Sequence, residues 1–91
     1  MVLYEKLNNT DRYVNYPENN LGEKIRKQRN IKGYTAEELA NICGCSMNSI
    51  YAYESNNSKP SNSLLNRIID ALGVEASYFK DIWIEKDSRL S

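Results

Sequence analysis

Side chains that commonly carry out acid–base or nucleophilic chemistry are scarce in this sequence. Its 91 residues contain no histidine, so neither a Ser-His-Asp triad nor a Cys-His pair can form, and the commonest metal ligand is missing. Two thiols remain, on Cys43 and Cys45, with one residue between them. That spacing strains a disulfide and offers a metal only two ligands. We expect no enzyme, no cofactor and no metal site, and we interpret the cysteines as small buried thiols rather than as a redox or zinc site.

A second group of residues has the chemistry of surface recognition rather than of catalysis. Residues 46–55 are predicted to form a helix on which Ile50 and Tyr53 point to one side. The opposite stripe mixes short, polar and aromatic side chains: Met47, Asn48, Tyr51, Ala52 and Ser55. As a merely solvated helix face, this stripe would leave Met47 and Tyr51 together in water. The stripe therefore indicates a helix face that contacts a partner.

Two helices must precede and support this stripe, and residues at their ends mark them. A helix over residues 21–32 is ended by Gly33, as a glycine C-cap would end it. Thr35 and Glu38 then form a T-x-x-E capping box for a second helix, which Gly44 closes. The apolar residues of this second helix recur at helical spacing: Ala36, Leu39, Ala40 and Cys43. Their small size predicts close packing against another helix.

Three more helices are predicted after that glycine. Ser46 caps the third after a very short connection, and residues 56–57, two asparagines that tolerate left-handed backbone, end it. Ser61 caps a fourth, which Gly73 ends, and residues 74–79 form a short fifth. The apolar residues of the fourth helix are Leu64, Leu65, Ile68, Ala71 and Leu72. With no alternating pattern long enough for a sheet, the fold class predicted is all-α, a compact five-helix bundle.

Helical signals are confined to residues 21–79 and divide the chain into a domain with a shorter segment on either side. We interpret residues 1–20 as an N-terminal arm, residues 21–79 as the domain and residues 80–91 as a C-terminal extension. The formal net charge is zero, although residues 21–73 hold seven Lys+Arg against five Asp+Glu. Generic polyanion binders are more basic, so any nucleic-acid recognition must depend on local pattern. No apolar run suits a signal peptide or a membrane span, and we expect a cytoplasmic protein without membrane contact.

Several short motifs keep their spacing across residues 21–79. They are Leu21-Gly22-x-x-Ile25-Arg26-x-x-Arg29, Gly33-Tyr34-Thr35-x-Glu37-x-Leu39-Ala40-x-x-Cys43-Gly44-Cys45-Ser46, Ile50-x-x-Tyr53-Glu54 and Lys59-Pro60-Ser61. Together they resemble the Cro and phage-repressor type of helix-turn-helix protein, also called the Xre family. The resemblance implies a lambda-repressor-like five-helix bundle whose second and third helices form the helix-turn-helix. It further implies that the third helix lies in the major groove of double-stranded DNA.

If the third helix enters the groove, its stripe supplies the base contacts. We expect these contacts from Met47, Asn48, Tyr51 and Ala52. An asparagine amide can pair bidentately with adenine, and the apolar atoms of Met47 and Ala52 can touch a thymine methyl. The Tyr51 hydroxyl can reach a phosphate or a base edge.

Phosphate contacts are expected on both sides of that helix, because they fix its register on the duplex. The candidates are Lys32, Thr35, Ser46, Asn57, Ser58, Lys59 and Ser61. Thr35 stands at a helix N-terminus, where unpaired N–H groups and partial positive charge favour an anion. The chain departs from the family at Ala36, where a phosphate-binding Gln is common, and at Asn56, where Gly is frequent.

The resemblance also implies a structural ion pair. Arg29, late in the first helix, would pair with Glu54 at the end of the third and so orient that helix. Of the other cations on the first helix, Lys24, Arg26 and Lys27 are mostly expected to be solvated.

Aromatic and β-branched residues concentrate after the fourth helix. The set comprises Tyr78, Phe79, Ile82, Trp83 and Ile84. Small helix-turn-helix domains read palindromes as two-fold dimers, so this set is a candidate homodimer interface. Alternatively, it covers the open end of the bundle or packs on residues 2–4.

These expectations describe a sequence-specific transcriptional regulator that binds double-stranded DNA. The most specific form is a homodimeric repressor of a bacterium or mobile element that reads a palindromic operator. The alternative is a protein-binding, antitoxin-like helix-turn-helix module with weak or no DNA binding, which Ala36, Ala52 and the near-zero charge favour.

Overall fold

The computed structural model describes residues 10–79 of the chain. This part contains five helices and no strand. The helices are α1 (Thr10–Tyr13), α2 (Leu21–Lys32), α3 (Ala36–Cys43), α4 (Met47–Glu54) and α5 (Asn62–Leu72). A further helical turn occupies residues 77–79. The predicted all-α fold class is confirmed, and no helix within residues 10–79 has the length and apolarity needed to cross a membrane.

Helices α3, α4 and α5 begin where the capping residues predict. Thr35 Oγ1 accepts a hydrogen bond from the Glu38 N–H at 3.0 Å, and Glu38 Oε1 accepts one from the Thr35 N–H at 2.8 Å. Ser46 and Ser61 cap α4 and α5, and each hydroxyl accepts from the N–H three residues further on, at 3.1 and 3.2 Å. Each cap satisfies an N–H that the helix itself leaves unpaired, which is worth about 1 kcal/mol.

The core lies between α2, α3, α4 and α5, with one residue from the helical turn at residues 77–79. Its largest fully buried side chains are Phe79, Ile25, Leu39, Ile50, Ile68, Leu72 and Cys43. Burying one such leucine or isoleucine contributes about 1.5–3 kcal/mol. The apolar stripe predicted on α3 is entirely buried. Helix α3 packs against both α4 and α5, and α4 packs against α2 and α3.

Two parts of the fold differ from the prediction. Helix α1 lies within the segment predicted to be an arm, and it packs against α2. Four residues are too few to show a helical period, so the sequence pattern could not reveal it. The predicted helix over residues 74–79 is helical only from residue 77 onward, because Gly73 adopts left-handed backbone (φ 68°) and the chain turns before it coils again.

Lys27 corrects the expectation that the cations of the first helix are solvated. Its exposed fraction is only 7%. The Lys27 Nζ lies 3.2 Å from Glu18 Oε1, and the same oxygen accepts a hydrogen bond from the Tyr78 hydroxyl at 2.6 Å. Burial raises the pKa of Tyr78 to about 12, so this hydroxyl keeps its proton and donates it. Lys24 is also engaged, since its Nζ donates to the Tyr78 carbonyl at 2.5 Å.

Phe79 corrects part of the predicted dimer interface. It is 1% exposed and belongs to the core, which leaves almost no surface for a second protomer. Its ring meets the Tyr78 ring edge to face, with centroids 5.0 Å apart. Its burial favours, for Phe79, the alternative that this residue covers the end of the bundle. Tyr78 is half-buried and donates to Glu18. Ile82, Trp83 and Ile84 lie outside the described residues.

Candidate nucleic-acid interface

Helix α4 presents a face that the protein does not cover. Ile50 is completely buried on one side, whereas Met47 is 42% exposed and Tyr51 is 51% exposed on the other. Asn48 is exposed next to them, and Ala52 is half-buried at the edge of the stripe. Residues 10–79 contain four exposed large apolar or aromatic side chains, and two of them lie on this eight-residue helix. Such a concentration on one short helix is typical of a contact surface.

A three-residue connection fixes the angle between α3 and α4. Gly44 adopts left-handed backbone at φ 76°, a conformation that a side chain would strain. The N–H groups of Gly44 and Cys45 both donate to the Ala40 carbonyl, the second at 3.0 Å. From α5, the Arg67 guanidinium donates to the Cys43 carbonyl at 3.3 Å. The connection is thus fixed by backbone hydrogen bonds and braced by a third helix.

The thiols of Cys43, at the end of α3, and of Cys45, within this connection, are unreactive in their protonated form. Burial, followed by the neighbouring Cys45, raises the pKa of the Cys43 thiol to about 11. Burial also raises the pKa of the Cys45 thiol. Both groups are free thiols that hold their protons near neutral pH, and the protonated thiol is a poor nucleophile and metal ligand. Among the described residues, no group of three or more His, Cys, Asp or Glu side chains is arranged to hold a metal ion.

An ion pair joins α2 to the last turn of α4. Arg29 Nε lies 2.5 Å from Glu54 Oε2, and Arg29 Nη2 lies 3.0 Å from Glu54 Oε1. The Arg29 Nη1 donates to the Tyr34 carbonyl at 3.0 Å. The two side chains are 12% and 7% exposed. All of these contacts are internal, so the guanidinium is occupied in holding α4 and the α2–α3 connection together.

A second link at the same end of α4 was not predicted from the sequence. Asn56 has left-handed backbone at φ 63°, as the sequence predicts, but its side chain also bonds across the molecule. Its Oδ1 accepts from the Gly22 N–H at 3.1 Å and its Nδ2 donates to Asn20 Oδ1 at 2.8 Å. Asn20 itself caps α2 by accepting from the Glu23 N–H at 2.9 Å. The signal in the sequence was a glycine in the first turn of a helix, which marks a close backbone approach.

The N-terminus of α3 is poorly suited to a phosphate. The capping box already occupies the Thr35 N–H and its hydroxyl oxygen. Glu37 and Glu38 place two exposed carboxylates in the first turn. Ala36, where the family commonly has Gln, is buried and offers no polar atom. The carboxylates take the place that an anion would otherwise occupy at this helix end.

The loop after α4 presents polar side chains beyond the C-terminal end of that helix. The N–H groups of Asn57 and Ser58 are used internally, since both donate to the Ala52 carbonyl at 2.9 and 3.3 Å. Their side chains are exposed, as are those of Lys59 and Ser61. The N-cap Ser46 is exposed at the other end of the helix. These residues flank α4 from both of its ends.

The side chain of Lys32 lies near the C-terminal end of α5. Its Nζ is 3.9 Å from the position that a Cβ on Gly73 would occupy. A cation at that position offsets the partial negative charge of the helix end. This position gives the predicted phosphate contact of Lys32 no support.

An all-α domain in which a tight turn joins two packed helices and leaves one face of the second uncovered is a helix-turn-helix domain. The chain belongs to the helix-turn-helix family, in its Xre and lambda-repressor-like type, with residues 25–79 matching the family. This family comprises DNA-binding regulators. No curated protein matches the chain significantly.

Proposed function

We propose that this chain is a sequence-specific regulator of transcription that binds double-stranded DNA with α4 in the major groove. The observation that carries the proposal is the uncovered face of α4, where Met47, Asn48 and Tyr51 are exposed on a helix fixed by its neighbours. A helix of this size fits a groove about 12 Å wide.

The proposed contacts divide into those that specify and those that position. Met47, Asn48 and Tyr51 face the base edges, with Ala52 at the margin of the same face. Phosphates on either side are met by Ser46 at the start of α4 and by the loop after it. The loop residues in that role are Asn57, Ser58, Lys59 and Ser61. Thr35 and Lys32 are weaker candidates. The Thr35 N–H already donates to the Glu38 carboxylate, and the Lys32 Nζ is directed at the end of α5.

We further propose that two copies act together on a palindromic operator as a repressor in the cytoplasm. A single α4 reads only a few base pairs, and small helix-turn-helix domains reach useful specificity by two-fold pairing. Tyr78, Ile82, Trp83 and Ile84 are the candidate contact residues between copies. Sedimentation with a selected palindromic duplex is expected to give two chains per duplex, and one chain per duplex would contradict the dimer.

Salt titration tests the proposed function. The association constant K for labelled duplexes is measured at several salt concentrations, with Asn66→Ala as a control because Asn66 is exposed on α5 and is not among the proposed contact residues. We expect log K to fall with log salt by about 0.9 per phosphate contact, equally for the protein and the control. No salt-dependent binding to any duplex would contradict the proposal.

A protein-binding module is the second candidate function. Two observations favour it: the carboxylates of Glu37 and Glu38 at the start of α3, and the exposed Ile42 on the same helix, at 54%. An apolar residue beside acidic ones suits a protein surface better than a phosphate backbone. Failure to bind any duplex by a folded chain would favour this module over the regulator.

A further inference from the structure

The helix-turn-helix of this chain carries acidic residues but no basic ones. Residues 33–58 contain no lysine or arginine, and their charged residues are Glu37, Glu38 and Glu54. Glu54 is held by Arg29 and is 7% exposed, so it does not face outward. The exposed face of α4 consequently carries no charged side chain within its described length. Its hydrogen-bonding groups are one carboxamide and a few hydroxyls.

This chemistry matches one kind of base pair better than the other. Guanine presents two acceptors in the major groove, N7 and O6, which are read best by the paired donors of arginine or by lysine. Neither residue is available on α4 or in the turn before it. The carboxamide of Asn48 has one donor and one acceptor side by side, which complement N7 and N6 of adenine. Placed on guanine, its oxygen would face the O6 oxygen.

The apolar part of the same face suits thymine, the base that pairs with adenine. Met47 is 42% exposed and stands next to Asn48 at the start of α4. Its side chain can pack against the C5 methyl of thymine. Against cytosine or guanine, it would displace water from a polar base edge without replacing the lost hydrogen bond. Tyr51 supplies a single hydroxyl, which does not distinguish between base pairs by itself.

We infer that the base pairs read by α4 are A·T pairs, with Asn48 on an adenine and Met47 on a thymine methyl. This inference rests on the proposed function and names the DNA sequence class of the same site. The specificity has two sources. Asn48 complements adenine, and guanine is disfavoured because α4 has no pair of donors for it and the Asn48 oxygen would repel its O6.

Selection of bound duplexes from a random pool by the full chain tests the inference. We expect recovered half-sites with A·T pairs at the positions read by α4. Asn48→Ala is expected to lower the affinity of the selected duplex by about five- to 150-fold and to abolish the preference at one A·T pair. Asn66→Ala, on an exposed face of α5, is expected to select the same sites as the parent. Thermal unfolding of both variants verifies that they are folded.

Replacing single thymines by uracil tests the methyl contact. We expect one replacement to weaken binding by about fourfold, and Met47→Ala to show no such loss. Recovered sites with G·C pairs at the positions that Asn48→Ala affects would overturn the inference and leave the proposed function standing. Salt-dependent binding without any sequence preference would overturn the inference and the sequence specificity of the proposed function, and would leave only its DNA binding standing. Absence of any binding to DNA would overturn both.

Discussion

Arg29 and Glu54 are the residues that connect stability to recognition most directly. Their two-point ion pair holds the last turn of α4, and both side chains are nearly buried. Removing one member leaves the other charge uncompensated. We therefore expect Glu54→Ala to lower the free energy of unfolding by about 3 kcal/mol, measured by urea denaturation.

Glu37 provides the control for this change. Its carboxylate is exposed in the first turn of α3 and makes no ion pair with a described residue. Glu37→Ala is expected to cost less than about 1 kcal/mol, the value of a helix-end charge. Equal denaturation midpoints for the parent and Glu54→Ala would show that Arg29 is not committed to the fold and would make it a candidate for phosphate contact.

Lys59 and Lys32 differ in what their ammonium groups face. Lys59 is exposed in the loop after α4, whereas Lys32 is directed at the C-terminal end of α5. Lys59→Ala is expected to reduce the slope of log K against log salt by about 0.9, the value of one phosphate contact. Lys32→Ala should leave that slope nearly unchanged. The reverse order would mean that the duplex approaches from the α5 side.

At the scale of the helices, the close approach of α2 to the end of α4 is as important as the ion pair. Gly22 is buried, and a Cβ on it would clash with the Tyr53 and Glu54 carbonyl oxygens. These are backbone atoms that cannot move aside without moving α4. Gly22→Ala is expected to destabilise the protein by about 1–3 kcal/mol, although alanine is normally favoured in a helix by about 1 kcal/mol.

Thermal unfolding measures this effect, with Asn66→Ala as a second helix substitution. Asn66 is exposed on α5, so alanine there is expected to be neutral or slightly stabilising. If Gly22→Ala were as stable as the parent, α2 and α4 would not need their close contact, and α4 would have to be positioned by other means.

The helix ends could be predicted from the sequence because their signals are local. Thr35, Ser46 and Ser61 bond to N–H groups three residues away, and a pattern of three residues is visible in one sequence. The contact between Glu18 and Lys27 could not be predicted in this way. It depends on how a segment without a period returns to α2, and hydrophobic spacing carries no information about that path.

In the candidate site, too, the local features could be predicted from the sequence and the contacts between distant segments could not. The exposed face of α4 follows from helical spacing and the resemblance, and the structure leaves that face uncovered. The link of Asn56 to Asn20 and Gly22 joins residues more than thirty positions apart. Only the assembled fold brings them together.

At the scale of the whole molecule, Glu18 joins the segment before α2 to the last described helical turn. The Tyr78 hydroxyl, and after it the Lys27 ammonium, hold the pKa of Glu18 below its ordinary value. A carboxyl whose pKa is lowered by folding stabilises the protein above its unfolded pKa, and this contribution is lost as the pH falls through the folded value. The loss is therefore expected below about pH 4.5.

Glu18→Gln tests this contribution. We expect the variant to have a lower thermal midpoint at neutral pH, because the buried Lys27 loses its counter-charge. Its midpoint should also fall less steeply than that of the parent as the pH drops below about 4.5. Parallel curves for the two proteins in acid would show that Glu18 does not link these segments in solution.

The central claim is that the uncovered face of α4 is the surface that meets DNA. It is tested most directly by titrating a selected duplex into the ¹⁵N-labelled chain and following the backbone amide signals by NMR. We predict that the largest shifts fall in residues 46–59, with small shifts for the exposed residues of α5. Largest shifts on α5, or no shifts on α4 while the duplex is bound, would contradict the account.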